Sequence, residues 1–157
     1  MKDYIKSIEA KLNDIEYILL AVITSILIKI PLQVLIYLYE KYGGNLSSYF
    51  NGESMISLLI SGCFLGPILE SFFIFFLIWM LKNKFHVNRK SHLLLTTSVI
   101  FASLHYYSLV YIIVIFPSCF IIVYSYLCYK PKKLSSFTVM LWVHIISNTT
   151  VILLSLF

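Results

Sequence analysis

From Ser54 to Leu81 the chain carries one charged residue, Glu70, near the middle of an otherwise uncharged run. A helix needs about 20 mostly apolar residues to cross a bilayer, so this run can span a membrane while holding an acid inside it. Comparable runs lie at 17–38, 91–107, 109–129 and 134–157. With 60% hydrophobic residues, 12% charged and a mean hydropathy of +0.90, the 157 residues do not suit a water-soluble domain. They read as an all-α integral membrane bundle of about five transmembrane helices, forming a single membrane domain over 1–157. The first run is too long for a signal-peptide core and has no small-residue cleavage site after it, so it is expected to remain as an anchor.

Lys and Arg outside the spans set the expected orientation, because cytoplasmic loops carry their excess. Lys2, Lys6 and Lys11 precede the first span, Lys82, Lys84, Arg89 and Lys90 follow the second, and Lys130, Lys132 and Lys133 follow the fourth. The intervening ends carry only Lys41. This pattern predicts a multi-pass cell-membrane protein with a cytoplasmic N-terminus and an outer C-terminus. The net charge of +5 then follows from topology and anionic headgroups, with no nucleic acid partner required. Ile5, Ile8, Leu12 and Ile15 recur at helical spacing, which predicts an amphipathic inner-surface segment over 1–16. Cys63, Cys119 and Cys128 match no zinc or redox spacing and read as small apolar packing residues. The tyrosines of HYYSLVY and VYSYLCYK sit near span ends, where an aromatic belt is expected.

An acid at mid-membrane costs on the order of 3 kcal/mol even on lenient insertion scales, so Glu70 needs a partner or a purpose. No acid follows it in the chain. Gly62, Gly66 and Glu70 are spaced by four, which allows close helix approach beside the carboxylate, and Pro67 removes a helical hydrogen bond just before it. Two further polar sites fall at a similar depth. In FASLH, His105 follows Phe101 by one turn on a face made small by Ser98 and Ala102; in HIISN, His144 and Asn148 project from one face. His86 and His92 belong to the basic inner loop and are expected to be solvated.

This order of motifs, a Glu-centred one, then F-x-x-x-H, then H-x-x-x-N, resembles the CPBP family of intramembrane CAAX proteases and bacteriocin-processing or immunity proteins, also called Abi. The resemblance covers the last four spans. It implies a four-helix core in which Glu70 is the first glutamate of an E-E-x-x-x-R motif, His105 the F-x-x-x-H histidine, and His144 with Asn148 the last motif. The chain departs from that motif where Ser71 stands in the place of the second glutamate and Phe75 in that of the arginine.

The implied chemistry is hydrolysis of a peptide bond in a membrane-associated peptide or protein, in processing or in bacteriocin self-immunity. Glu70 and His105 would activate a water, and His144 and Asn148 would stabilise the oxyanion. No cofactor is needed for this; the alternative is a divalent metal such as zinc on Glu70, His105 and His144. Two other readings remain open: a catalytically inactive immunity or interaction protein of the same fold, and a proton relay, since intramembrane Glu and His also carry protons. Lys29, within the first span, is a rival partner that would make Glu70 part of a purely structural ion pair, or a substitute for the missing arginine.

Overall fold

The computed structural model describes residues 9–45 and 55–154, together with Ser7. Ile5 and Ile8 of the expected surface segment, Leu46 to Ser54 of the first outer loop and residues 155–157 lie outside the described residues. The elements are α1 (Asp14–Lys41), the short α2 (Met55–Leu58), a π-helical segment (Leu59–Leu65), α3 (Gly66–Asn83), α4 (Lys90–Ser103), α5 (Leu109–Leu127) and α6 (Ser136–Leu154). No strand occurs among the described residues.

Local signals account for several boundaries. Asn13 and Glu16 form a reciprocal capping box that starts α1. Ser108 starts α5 by accepting a hydrogen bond from the Tyr111 N–H. Both α1 and α5 continue through an internal proline, Pro31 and Pro117. Hydroxyls inside the spans are largely satisfied on their own helices: Thr24, Ser61, Ser98, Ser103, Ser125 and Thr150 each donate to the carbonyl four residues back. This keeps polar hydrogens away from lipid.

Among the described residues, four helices are long and apolar enough to cross a membrane: Asp14–Lys41, Leu59–Asn83, Leu109–Leu127 and Ser136–Leu154. The sequence leads one to expect a fifth over 91–107, but α4 has 14 residues and rises only about 21 Å. At its end the Phe101 carbonyl, which in a continuing α-helix would accept from the His105 N–H, is met by the Leu104 N–H at 3.3 Å and by His105 Nδ1 at 3.2 Å, while the His105 N–H turns to Ala102 O at 3.1 Å. The last turn tightens to bonds three residues apart and the helix stops, with the His105 ring over its end.

The helices share one core. Ile18 and Val22 of α1, Ile74 and Ile78 of α3, Phe101 and Ala102 of α4, Ile122 and Val123 of α5, and Met140 and Val143 of α6 are all buried in it. Outward faces carry Leu19, Ile23, Leu27, Leu69, Phe72, Phe76, Val99 and Ile113, the exposure expected where lipid is the solvent. Interhelical polar contacts add to the packing: Ser25 Oγ donates to Ser118 Oγ at 2.9 Å, and Tyr17 and Ser125 hydroxyls meet at 3.1 Å. Such bonds contribute about 0.6 kcal/mol each.

One end of the bundle gathers the basic segments. Lys90 Nζ reaches the Leu127 carbonyl at 3.2 Å, tying the start of α4 to the end of α5. Asp14, 5% exposed, ties the start of α1 to the α5–α6 loop: its carboxylate accepts from Tyr129 OH at 3.0 Å and from the backbone N–H groups of Lys132, Lys133 and Leu134 at 2.7 to 2.8 Å. Leu12 packs on the core beside it, while Ile15 is exposed. Hydrogen bonds to a charged group are worth about 1.5–3 kcal/mol each, and four donors cannot all be re-paired. Asp14→Ala is therefore expected to cost about 3 kcal/mol, read as a lowered unfolding midpoint in detergent, with Asp14→Asn falling between it and the wild type.

Candidate functional site

The site starts from Pro67. In a π-helix the carbonyl of residue i accepts from residue i+5, so the Gly62 carbonyl falls to Pro67, which has no N–H. The π segment ends at Leu65, and α3 begins at Gly66 with Pro67 in its first turn. The stranded carbonyl is taken by another helix: Asn148 Nδ2 of α6 donates to Gly62 O at 3.3 Å. The two glycines have different jobs. A Cβ on Gly62 would lie 2.7 Å from Ile152 Cδ1 of α6, so this position permits close interhelical packing. A Cβ on Gly66 would lie 2.7 Å from the Ser61 carbonyl of its own chain, so this one is required by the π turn.

One turn beyond Gly66, Glu70 projects between α4 and α6. Its Oε2 lies 3.2 Å from His144 Nε2 and 3.9 Å from His105 Nε2. Oε2 is shielded and within ion-pair range of His144, although no hydrogen bond of good alignment reaches it. Side-chain exposures separate the three groups: 34% for Glu70 and 25% for His105, against 2% for His144. His144 is a buried support, whereas Glu70 and His105 are partly exposed although the oxygen they share is shielded.

Hydrogen-bond partners orient the two rings. A backbone carbonyl only accepts, so His105 Nδ1 facing Phe101 O carries a hydrogen, and Nε2 is the ring nitrogen turned toward Glu70. His144 is turned the other way: its Nε2 faces the Glu70 carboxylate at 3.2 Å and its Nδ1 meets the Ser71 hydroxyl at 3.3 Å. Ser71 is fully buried, so this contact fixes the ring orientation from within the core. Phe101 orders both rings: its own ring stands edge-on to His105 at 5.3 Å and to His144 at 5.6 Å between centroids.

The structure thus brings Glu70, His105 and His144 together, and places Asn148 one turn along α6, bonded to the π segment. Lys29 makes no ion pair with Glu70 among the described residues; both pairs to that carboxylate come from histidines. None of the three cysteines is in a disulfide, and Cys63 and Cys119 are buried packing residues. His86 and His92 are exposed on the basic loop and its helix start. Among the described residues no trio of His, Cys, Asp or Glu is arranged to hold a metal ion, the Glu70 group included. Phe101 and Ser71 escaped the sequence reading as site residues, although Phe101 belongs to the F-x-x-x-H motif and Ser71 adjoins Glu70.

No protein-family model matches the chain, and no curated protein or solved structure matches it either. The geometry is the sole structural guide to function. It also orders the two glycine substitutions. Gly66→Ala, which meets backbone oxygen, is expected to cost about 2 kcal/mol, the usual range for overpacking. Gly62→Ala meets the movable end of Ile152 and costs less. Unfolding midpoints of the two variants in the same detergent check this order.

Proposed function

We propose that the chain is a small intramembrane endopeptidase of the CPBP type, acting on a membrane-associated peptide or protein that enters from the cytoplasmic side of the cell membrane. The carrying observation is the placement of two histidines about one carboxylate oxygen, His144 Nε2 at 3.2 Å and His105 Nε2 at 3.9 Å, with each ring held at its other nitrogen by Ser71 or by the Phe101 carbonyl. In this reading the 3.9 Å between Glu70 Oε2 and His105 Nε2 is the span across which a catalytic water would be held, at about 2.8 Å from each atom, once substrate binding admits it.

In this reading, Glu70 and His105 take a proton from the water as its oxygen attacks the scissile carbonyl carbon. The tetrahedral intermediate collapses when that proton passes to the amide nitrogen, the C–N bond breaks, and an acid and an amine leave. His144 and Asn148 were expected to hold the oxyanion. In the geometry described, His144 Nε2 faces Glu70 and Asn148 Nδ2 faces the Gly62 carbonyl, so both act as positioning groups. Ser71 does with a hydroxyl what a second acid would do with a charge: it holds His144 without placing another anion beside Glu70. The basic end of the bundle faces the cytoplasm.

A non-enzymatic immunity or interaction protein is the second reading. It is favoured by the same contacts, because Glu70–His144 and Asn148–Gly62 also clamp α6 to the π segment and α3. Comparing membrane-protein N-termini by mass spectrometry separates the two. Cells with wild-type protein are expected to show N-termini that vanish with Glu70→Gln and with His105→Gln at matched membrane levels. A fall of about 10² or more in cleavage rate is the size general-base loss produces. A protective phenotype that survives Glu70→Gln, with no change in N-termini, assigns the fold to binding.

A further inference from the structure

A groove of about 580 Å³ lies away from the carboxylate, at the basic end of the bundle between the start of α1 and the first half of α6. This is within the range of ligand-holding pockets, about 300–1,000 Å³. Its wall is apolar, built by Ile18 and Leu19 from α1 and by Trp142 and Ile146 from α6, and its rim carries Lys132 and Lys133. Both lysines are exposed. Asp14 also lines the groove, but its carboxylate is already filled by the Tyr129 hydroxyl and three backbone N–H groups. Those bonds fix the loop backbone and leave the lysine ammonium groups to face outward. Of the three charged residues that line the groove, two are these lysines and the third is the internally bonded Asp14.

We infer that this groove binds one anionic phospholipid, with its phosphate on Lys132 and Lys133 and an acyl chain along Ile18, Leu19, Trp142 and Ile146. Three features favour lipid over a soluble ligand. The apolar wall belongs to two membrane-crossing helices. The cations sit at its headgroup end, and a half-exposed Trp stands where an interfacial ring is favoured. Basic pockets between transmembrane helices recognise anionic headgroups by this combination of point charges above an apolar slot. Asp14 serves as the internal strut that presents the lysines. The site is independent of the reaction proposed for Glu70.

The test uses the full chain in vesicles of equimolar phosphatidylglycerol and phosphatidylcholine, extracted into mild detergent and weighed by native mass spectrometry. The wild type is expected to retain one phosphatidylglycerol, which excess inorganic phosphate does not displace. Lys132→Gln with Lys133→Gln is expected to reduce retention about tenfold, as two surface lysines would. The fold is kept, because Asp14 bonds to backbone in that loop. Lys82→Gln with Lys84→Gln removes the same charge from another basic segment and is expected to leave retention unchanged. Equal loss in both double variants would reduce the effect to bulk attraction and overturn the site. Equal retention of phosphatidylcholine, full displacement by phosphate, or a lipid-free dimer abolished by the Lys132 and Lys133 changes would overturn it as well.

Discussion

Glu70 against His144, at 3.2 Å in the apolar layer, is the contact around which the bundle is organised. A lone carboxylate there would be a standing penalty. Its possible partners are few, because no other acid and no arginine lies on α3, α4 or α6. The solution is a chain of support running inward: Ser71 holds the far nitrogen of His144, Phe101 braces the ring face-to-edge, and the partly exposed His105 approaches the same oxygen. Every member of this chain lies on α3, on α6, or on α4 and the turn that ends it. Those three helices must therefore keep their mutual depth for the carboxylate to be tolerated.

The same residue that completes the site also stands at the end of a helix. The His105 ring meets the Phe101 carbonyl where α4 stops, and the turn that follows leads directly to the Ser108 cap of α5. A longer α4 would give the Phe101 carbonyl to the His105 N–H and free the imidazole to rotate. The end of the helix and the orientation of a site ring thus meet at one carbonyl.

Much of this was legible from residue types. Apolar runs located the helices, and the shared depth of Glu70, His105 and His144 on three of them anticipated their meeting, because polar groups in lipid have few places to go. What could not be read depends on register and on carbonyls. The spacing of Gly62, Gly66 and Glu70 suggested a continuous α-helical face, whereas the chain takes a wider turn there, and only Pro67 hinted at it. The length of α4 was overestimated because hydropathy does not see where a helix tightens and ends. Asp14 did not stand out within the 1–16 segment, because its four donors lie more than a hundred residues away in sequence. Lys29 looked like a charge partner on composition alone, and geometry gave that place to imidazoles.

The π segment has a consequence for how this chain can change length. A wide turn is an α-helix that has absorbed extra chain without breaking. Removing a residue from 59–65 would let that stretch relax toward ordinary winding while leaving the sequence of α3 intact. Each residue of α-helix turns the following side chains by about 100°, so α3 would swing its carboxylate off the histidines and toward lipid unless α2 turned instead. Adding a residue would do the reverse. Point substitutions are absorbed on many faces of this bundle, but between Leu59 and Leu65 the number of residues is itself a coordinate of the site.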